Sequence, residues 1–356
     1  MSNISRILIT AAAGLSLLAC AKSTPDTTGQ DAKTYLQLWI DRQDPNHTKF
    51  EYREADGLYL FKDKENPSPA GGEARDAEQY PYVHLRYTLS YLDGTISSTT
   101  EETVAKQLGT YGVSNYYGPE WLRLGEGYSY AGLDALLADM RTGGSRKAII
   151  PAWMLTTARY STQEEYLSAC STSSNLVYEV TFVGQCEDPE AEGVAEAAAY
   201  VAARYPGAES VAYWEEDAFP AGTFWLITDT SGFKEEDKLS SSASIKINYT
   251  GRRLDGTVFD TTVKRVAQDA RIYNSSKSYG PQSVSLNEDY SEITMGSSSS
   301  LISGFKGALS LMHWHGQKAI AIFSSIHGYS SSGSGNTIPA YAPLIFELEI
   351  LEEEKD

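Results

Sequence analysis

The chain has 356 residues, 41% hydrophobic and 21% charged, an ordinary globular composition that points to neither a disordered chain nor a membrane bundle and leaves room for two domains. A formal charge of −18 speaks against nucleic acid or anionic lipid headgroups as partners. Beyond the N-terminus no apolar run reaches the ~18–20 residues that span a bilayer.

Residues 1–19 carry one charged side chain, Arg6, ahead of the mostly apolar run Ile7–Ala19, too short to span and shaped like the core of a signal peptide. The run ends Leu17-Leu18-Ala19-Cys20, which resembles the lipobox of bacterial lipoproteins. The resemblance implies that residues 1–19 are cut off and Cys20 is acylated. The protein would then sit in a bacterial cell envelope, lipid-anchored at the outer membrane on its periplasmic or surface side. Residues 20–30, ending AKSTPDTTGQ, read as a flexible polar tether. In that oxidising compartment Cys170 and Cys186 are open to pairing. The strand expected over Leu176–Val183 separates them at ~3.3 Å per residue, whereas a disulfide wants Cα atoms within ~7 Å. The loop before Leu176 must fold back for a bond to form.

Tyr35, Leu38 and Trp39 give Asp31–Gln43 helical spacing, stopped by Pro45. Gly57–Phe61 is a short strand, and Tyr82–Thr88 alternates with Val83, Leu85 and Tyr87 inward. Tyr87-Thr88, Leu92-Asp93-Gly94-Thr95, Val104-Ala105, Tyr111 and Tyr117-Gly118-Pro119 all recur downstream, beginning at Tyr249-Thr250 and ending at Tyr279-Gly280-Pro281. The separation is constant, since 249 less 87 and 280 less 118 both give 162. Gly132 and Met140 recur as Gly304 and Met312, and Asn175–Glu179 answers Pro343–Glu347. This is an internal duplication whose period is that of whole domains, 31–188 and 189–356. The second copy has its own leader: Asp188 caps a helix with Pro189 in its first turn, running to Arg204, and Gly222–Ile227 answers the strand at Gly57.

In Ser244–Thr262, Ile245, Ile247 and Tyr249 share one face and Lys246, Asn248 and Thr250 the other, as on an edge-polar, core-facing strand. Asp255-Gly256 turns the chain back through Val258-Phe259-Asp260. A hydrophobic helix at Leu301–Met312, capped by one of Ser297–Ser300, a lone Tyr329 in a Gly/Ser loop and Ile338-Pro339 before a last strand complete the order. That order resembles the FKBP-type peptidyl-prolyl cis-trans isomerases. The resemblance implies an α+β fold of two FKBP-like domains, each an antiparallel twisted sheet wrapped on a short central helix and each preceded by an N-terminal helix.

An X-Pro bond rotates over a barrier of ~18–20 kcal/mol through a state without amide resonance. Lowering it needs a dry aromatic pocket and one or two hydrogen-bonding groups, and neither cofactor nor metal. On the resemblance, Tyr249, Phe259, Phe305 and Phe346 are the aromatic walls, and Leu301 and Ile302 lead into the central helix with backbone N–H groups facing the ligand. Asp260 faces the bound carbonyl, Tyr329 supplies a phenol and Ile338 belongs to the flap, so Asp260, Tyr329 and Phe259 carry the catalytic role. Phe305 stands where the family usually has Trp. Thr261–Met295 is longer than the family's bulged strand, leaving Tyr290 and Ile293 as candidates for one further aromatic or apolar wall, and the flap Ser330–Thr337 lacks the His often found there.

The first copy has Ser97-Ser98 against Phe259-Asp260 and Leu133 at the pocket floor, so it is expected to bind or scaffold without catalysing. His313-Trp314-His315 offers two imidazoles with no further ligand nearby, which reads as exposed histidines and not a metal site. The expected function is a membrane-anchored isomerase and folding helper for proline-containing polypeptide clients. The alternative is a chaperone-like lipoprotein that only binds them. Glycan binding, suggested by 24 Tyr and 6 Trp, finds no paired acids at a defined spacing.

Overall fold

The computed structural model describes residues 27–211, 219–297 and 300–351. The signal peptide, Cys20 and most of the tether lie outside the described residues. The first helix, α1 (Thr28–Gln43), begins inside the expected tether. It buries Ala32, Leu36 and Ile40, while Tyr35 and Leu38, expected on the buried stripe, are 57% and 63% exposed. Asp44 turns the chain after it by accepting the N–H groups of Thr48, Lys49 and Phe50 at 2.8, 2.8 and 3.0 Å. This places β1 (Phe50–Arg53), unmarked in the sequence, antiparallel to β2 (Leu58–Phe61).

The first unit continues through β3 (Tyr82–Tyr91), β4 (Ile96–Thr99), α2 (Glu102–Leu108), β5 (Glu120–Arg123), α3 (Ala131–Leu137), β6 (Gly144–Ile150), α4 (Gln163–Ser168) and β7 (Leu176–Cys186). Its seven-stranded antiparallel sheet runs β1-β2-β6-β7-β3-β4, with β5 also on β3. A second leader, α5 (Pro189–Arg204), has Asp188 accepting the Glu190 N–H at 2.9 Å, as the sequence implied. After it come β8 (Phe224–Thr228), β9 (Ser244–Arg253), β10 (Val258–Thr261), α6 (Lys264–Asp269), β11 (Gln282–Ser285), β12 (Thr294–Met295), α7 (Ser303–Ser310), β13 (Lys318–Phe323) and β14 (Leu344–Ile350). The second sheet also has seven strands, in the order β12-β11-β9-β14-β13-β8, with β10 on β9.

The duplication is visible at the level of single bonds. Thr88 and Thr99 join hydroxyls at 2.8 Å across β3 and β4, and Thr250 and Thr261 do the same at 2.8 Å across β9 and β10. The N–H of Tyr87 donates to Thr100 Oγ1 and that of Tyr249 to Thr262 Oγ1, each at 2.9 Å. Tyr111 stacks on Tyr117 with centroids 5.5 Å apart, and Tyr273 on Tyr279 at 5.3 Å. The two units are therefore α+β, each with an antiparallel sheet around a short helix.

β9 is no edge strand: β14 lies on one side and β10 and β11 on the other. Its polar face is tolerated because Lys246 is exposed and Thr250 is paired to Thr261. The core packs α7 against the concave face, with Phe305, Ala308 and Leu309 buried beside Phe323, Phe346 and Leu348. On the other face, Ala197 and Val201 of α5 meet Trp225, Ile322 and Ile345. No serine caps α7. Its N-cap is Ile302, in extended conformation and without a side-chain capping bond, so the helix starts later than the serine run suggests. Cys170 and Cys186 are free thiols, each buried, with no fold-back of the loop before β7 to join them.

Candidate active site

Nine expected residues converge. Tyr249 comes from β9, Phe259 and Asp260 from β10, Leu301 and Ile302 from the entry to α7, Phe305 from α7, Tyr329 and Ile338 from the loop after β13, and Phe346 from β14; all line one cavity of about 440 Å³. Phe346 is its hub. Its ring centroid lies 5.1 Å from Phe305, 5.7 Å from Phe259 and 6.2 Å from Tyr249, at steep interplanar angles of 76°, 77° and 47°. Tyr249 meets Phe305 edge-on at 5.4 Å. Edge-to-face rings present C–H edges to π faces and hold one another in place, so the apolar wall is set before any ligand arrives.

The local chain explains how Phe259 reaches this cluster. The pairing of β10 with β9 skips at Val258–Asp260, leaving Phe259 in a bulge that turns its side chain inward. Opposite it sits Gly251, where a Cβ would lie 2.5 Å from the Phe259 ring and 3.1 Å from Phe346. Only glycine permits that approach. The first unit keeps the bulge, between Leu89 and Ser90 on β3. There the glycine position is Leu89 and the phenylalanine position Ser97, a reciprocal exchange of volume.

The polar groups stand at one end of the cavity. Tyr249 donates its hydroxyl to Asp260 Oδ2 at 2.6 Å, and Asp260 Oδ1 accepts the Thr261 N–H at 2.9 Å. Lys277 forms an ion pair with the same carboxylate at the surface. Burial first, then the bond to Asp260 and its charge, raises the pKa of Tyr249, so it is a donor at neutral pH. Tyr329 is raised likewise by burial and by the charge of Asp260.

The flap is held from both sides. Ser334 N–H donates to Ile338 O at 2.8 Å, and Tyr341 N–H to Ser330 O at 2.8 Å, closing the neck of the loop. Ile338 is 3% exposed. Arg253, at the end of β9, donates to Thr337 O at 2.6 Å and to Ser114 O of the first unit at 2.9 Å. Tyr116 N–H meets Asn336 O at 2.7 Å. Sequence reasoning missed Arg253, whose counterpart in the first copy is Tyr91. It also missed Met295, which lines the cavity where Tyr290 or Ile293 was expected. Ile293 is fully buried in the core and Tyr290 packs against Phe219 with centroids 5.9 Å apart.

The first unit differs at the acid. Its Tyr87 hydroxyl donates to Glu120 Oε2 of β5 at 2.8 Å, an acid that lies on a different strand from the missing Asp and was not marked in the sequence. Among the described residues no group of three or more His, Cys, Asp or Glu could hold a metal ion. His313 is exposed, and His315 Nδ1 lies 3.3 Å from Leu351 O.

Residues 235–351 match the family model of the FKBP-type peptidyl-prolyl cis-trans isomerases. The FKBP-type 22 kDa peptidyl-prolyl cis-trans isomerase of Escherichia coli is 28% identical over 153 residues, covering 41% of this chain and 60% of that protein's length. Among solved structures, a peptidyl-prolyl cis-trans isomerase of Pseudomonas syringae is 23% identical and covers 46% of this chain and 95% of its own, with a TM-score of 0.30. The three FKBP domains of wheat FKBP73 are 15% identical and cover 87% of this chain and all of theirs, with a TM-score of 0.28. Residues 235–351 thus carry the likeness to the FKBP-type peptidyl-prolyl cis-trans isomerases, and the chain spans 60% of the length of the curated relative it matches.

Proposed function

We propose that the second unit, residues 189–356, catalyses rotation about X-Pro bonds in polypeptide clients, that the first, residues 31–188, does not, and that the chain works as a folding helper held to a bacterial membrane through an acylated Cys20. The observation that carries this reading is the convergence of four aromatic rings, Asp260 and Tyr329 on one cavity. A prolyl ring enters the space bounded by Phe305 and Phe346. The amide loses resonance and polarity as it twists, so an apolar wall costs the twisted state less than the planar one. Tyr329 donates to the client backbone and holds it across the cavity, while Ile338 covers the ring and excludes water. Asp260 presents its carboxylate to the carbonyl carbon as the amide leaves planarity and keeps Tyr249 oriented. Each ~1.4 kcal/mol gained at the twisted state is tenfold in rate.

Pure binding is favoured by one observation: both oxygens of Asp260 already have partners. The Lys277 pair is exposed, however, and such pairs contribute only ~0–1 kcal/mol, so a client displaces it at small cost. The two readings separate in the cis-to-trans rate of a prolyl tetrapeptide with the full chain and its Asp260→Ala and Phe305→Ala forms. No acceleration by the unsubstituted chain leaves binding alone. Full activity in both substituted forms would move the chemistry to the first unit. The anchor is tested by Cys20→Ser, which should move the expressed protein from the detergent phase to the aqueous phase; an unchanged partition refutes it.

A further inference from the structure

We propose that the first unit carries a second polypeptide-binding site, in the cavity walled by Tyr87, Leu133 and Tyr178, which takes a ring side chain with a carboxylate beside it. The inference rests on the reading of the second unit only for the class of client, not for turnover.

These three residues stand where the second unit has Tyr249, Phe305 and Phe346, so the cavity occupies the same place in the fold. It is larger, about 660 Å³ against about 440 Å³. One exchange opens it: Leu133 replaces a phenylalanine floor, while Leu89, which lines the cavity, fills the place that Gly251 leaves to the Phe259 ring. The strand that closes the second cavity with Met295 also has no counterpart in the first sheet.

The rim is aromatic and exposed: Tyr128 is 58% and Tyr130 41% accessible, although both border the cavity. Exposed rings that border an apolar hollow mark a binding surface. Arg123, the last residue of β5, has its guanidinium 3.6 Å from the Tyr128 ring centroid and 5.9 Å from that of Tyr82. Among the described residues no carboxylate forms an ion pair with it, in a chain whose net charge is −18. An arginine fixed on aromatic faces and free of internal acids is a receptor for a carboxylate on the ligand.

The chemistry favours holding over turnover. Thr157 stands where the second unit has Tyr329, and the Tyr87 phenol is committed to Glu120. The second unit completes the site, since Ser331 and Tyr341 border the cavity and Tyr341 meets Tyr82 edge-on at 6.1 Å. The loop that carries Ile338 over the second unit's cavity thus borders the first unit's cavity as well.

The test uses the full chain and a nonapeptide with a photoreactive benzophenone ring in place of Phe, flanked by two glutamates, against the same peptide with glutamines. Crosslinks are mapped by mass spectrometry. Two clusters are expected, one over residues 121–133 and one over 249–346. Arg123→Gln should lower the first cluster about tenfold for the glutamate peptide only, roughly 1.4 kcal/mol of affinity. Tyr130→Ala, at an exposed position, should lower it for both peptides. Crosslinks confined to 249–346, or a first cluster indifferent to Arg123→Gln, would overturn the proposal. Absence of isomerase activity alongside two clusters would refute turnover and leave this site standing.

Discussion

Replacing Asp260 by alanine removes the acceptor for the Tyr249 hydroxyl at 2.6 Å and for the Thr261 N–H at 2.9 Å, together with the partner of Lys277. The Lys277 pair is 40% and 39% exposed and so contributes only ~0–1 kcal/mol. The phenol matters more, because a half-buried donor left without an acceptor costs ~1–3 kcal/mol. Asparagine keeps an oxygen for Tyr249 and gives up the charge. We therefore expect Asp260→Ala to lower stability by about 1–2 kcal/mol and Asp260→Asn by under about 1. If the carboxylate also supports the twisted amide, kcat/KM for a prolyl tetrapeptide should fall about 10–100-fold in Ala, equivalent to about 1.4–2.7 kcal/mol. The assay is stopped-flow relaxation of a cis-enriched peptide, read beside thermal unfolding at the same pH. An Ala form that stays folded and keeps kcat/KM within about twofold refutes the assigned role; equal losses in Ala and Asn would assign the effect to the charge and not to the acceptor.

Arg253→Ala withdraws a 7%-exposed guanidinium from Thr337 O and Ser114 O, each charge-assisted bond being worth ~1.5–3 kcal/mol. We expect KM for the prolyl peptide to rise severalfold with less change in kcat, and amide exchange over residues 333–338 to quicken; unchanged exchange would refute the strut. His327, 4% exposed and bonded to Thr223 Oγ1 at 2.8 Å, has its pKa lowered by burial to about 4. The unfolded chain therefore takes up a proton as pH falls through about 6.5 while the folded chain does not, so stability is full above that pH and declines toward pH 4. Denaturant midpoints for His327→Asn should depend less on pH across that window, and identical profiles would sink the assignment. Cys170 and Cys186, 6% and 5% exposed, should react with a thiol reagent only in denaturant; no thiol released there would mean that they pair.

Much of the site was legible because its residues are chemically costly anywhere else. Phe259-Asp260 after an Asp-Gly turn, a lone Tyr329 and Ile338-Pro339 each mark a position by type and order. The signals that failed were those whose meaning lies across strands. The stripe of α1 moved because burial is set by what α4 and β-strands place beneath it, and Leu38 could satisfy a helical period while facing water. The serine run before α7 looked like a cap, yet the helix starts where Phe305 and Lys306 can donate to Ile302 O.

By itself the sequence determined the duplication, the α+β class and the order of the site residues, because repeated turns, caps and alternations are written locally. Only the tertiary structure decided that β9 is central, that Gly251 must be glycine for Phe259 to enter, that Glu120 replaces the lost aspartate for Tyr87, and that Arg253 ties the flap to the other unit. Each of these depends on a neighbour brought close through the fold, and a distance between strands leaves no periodic trace along the chain.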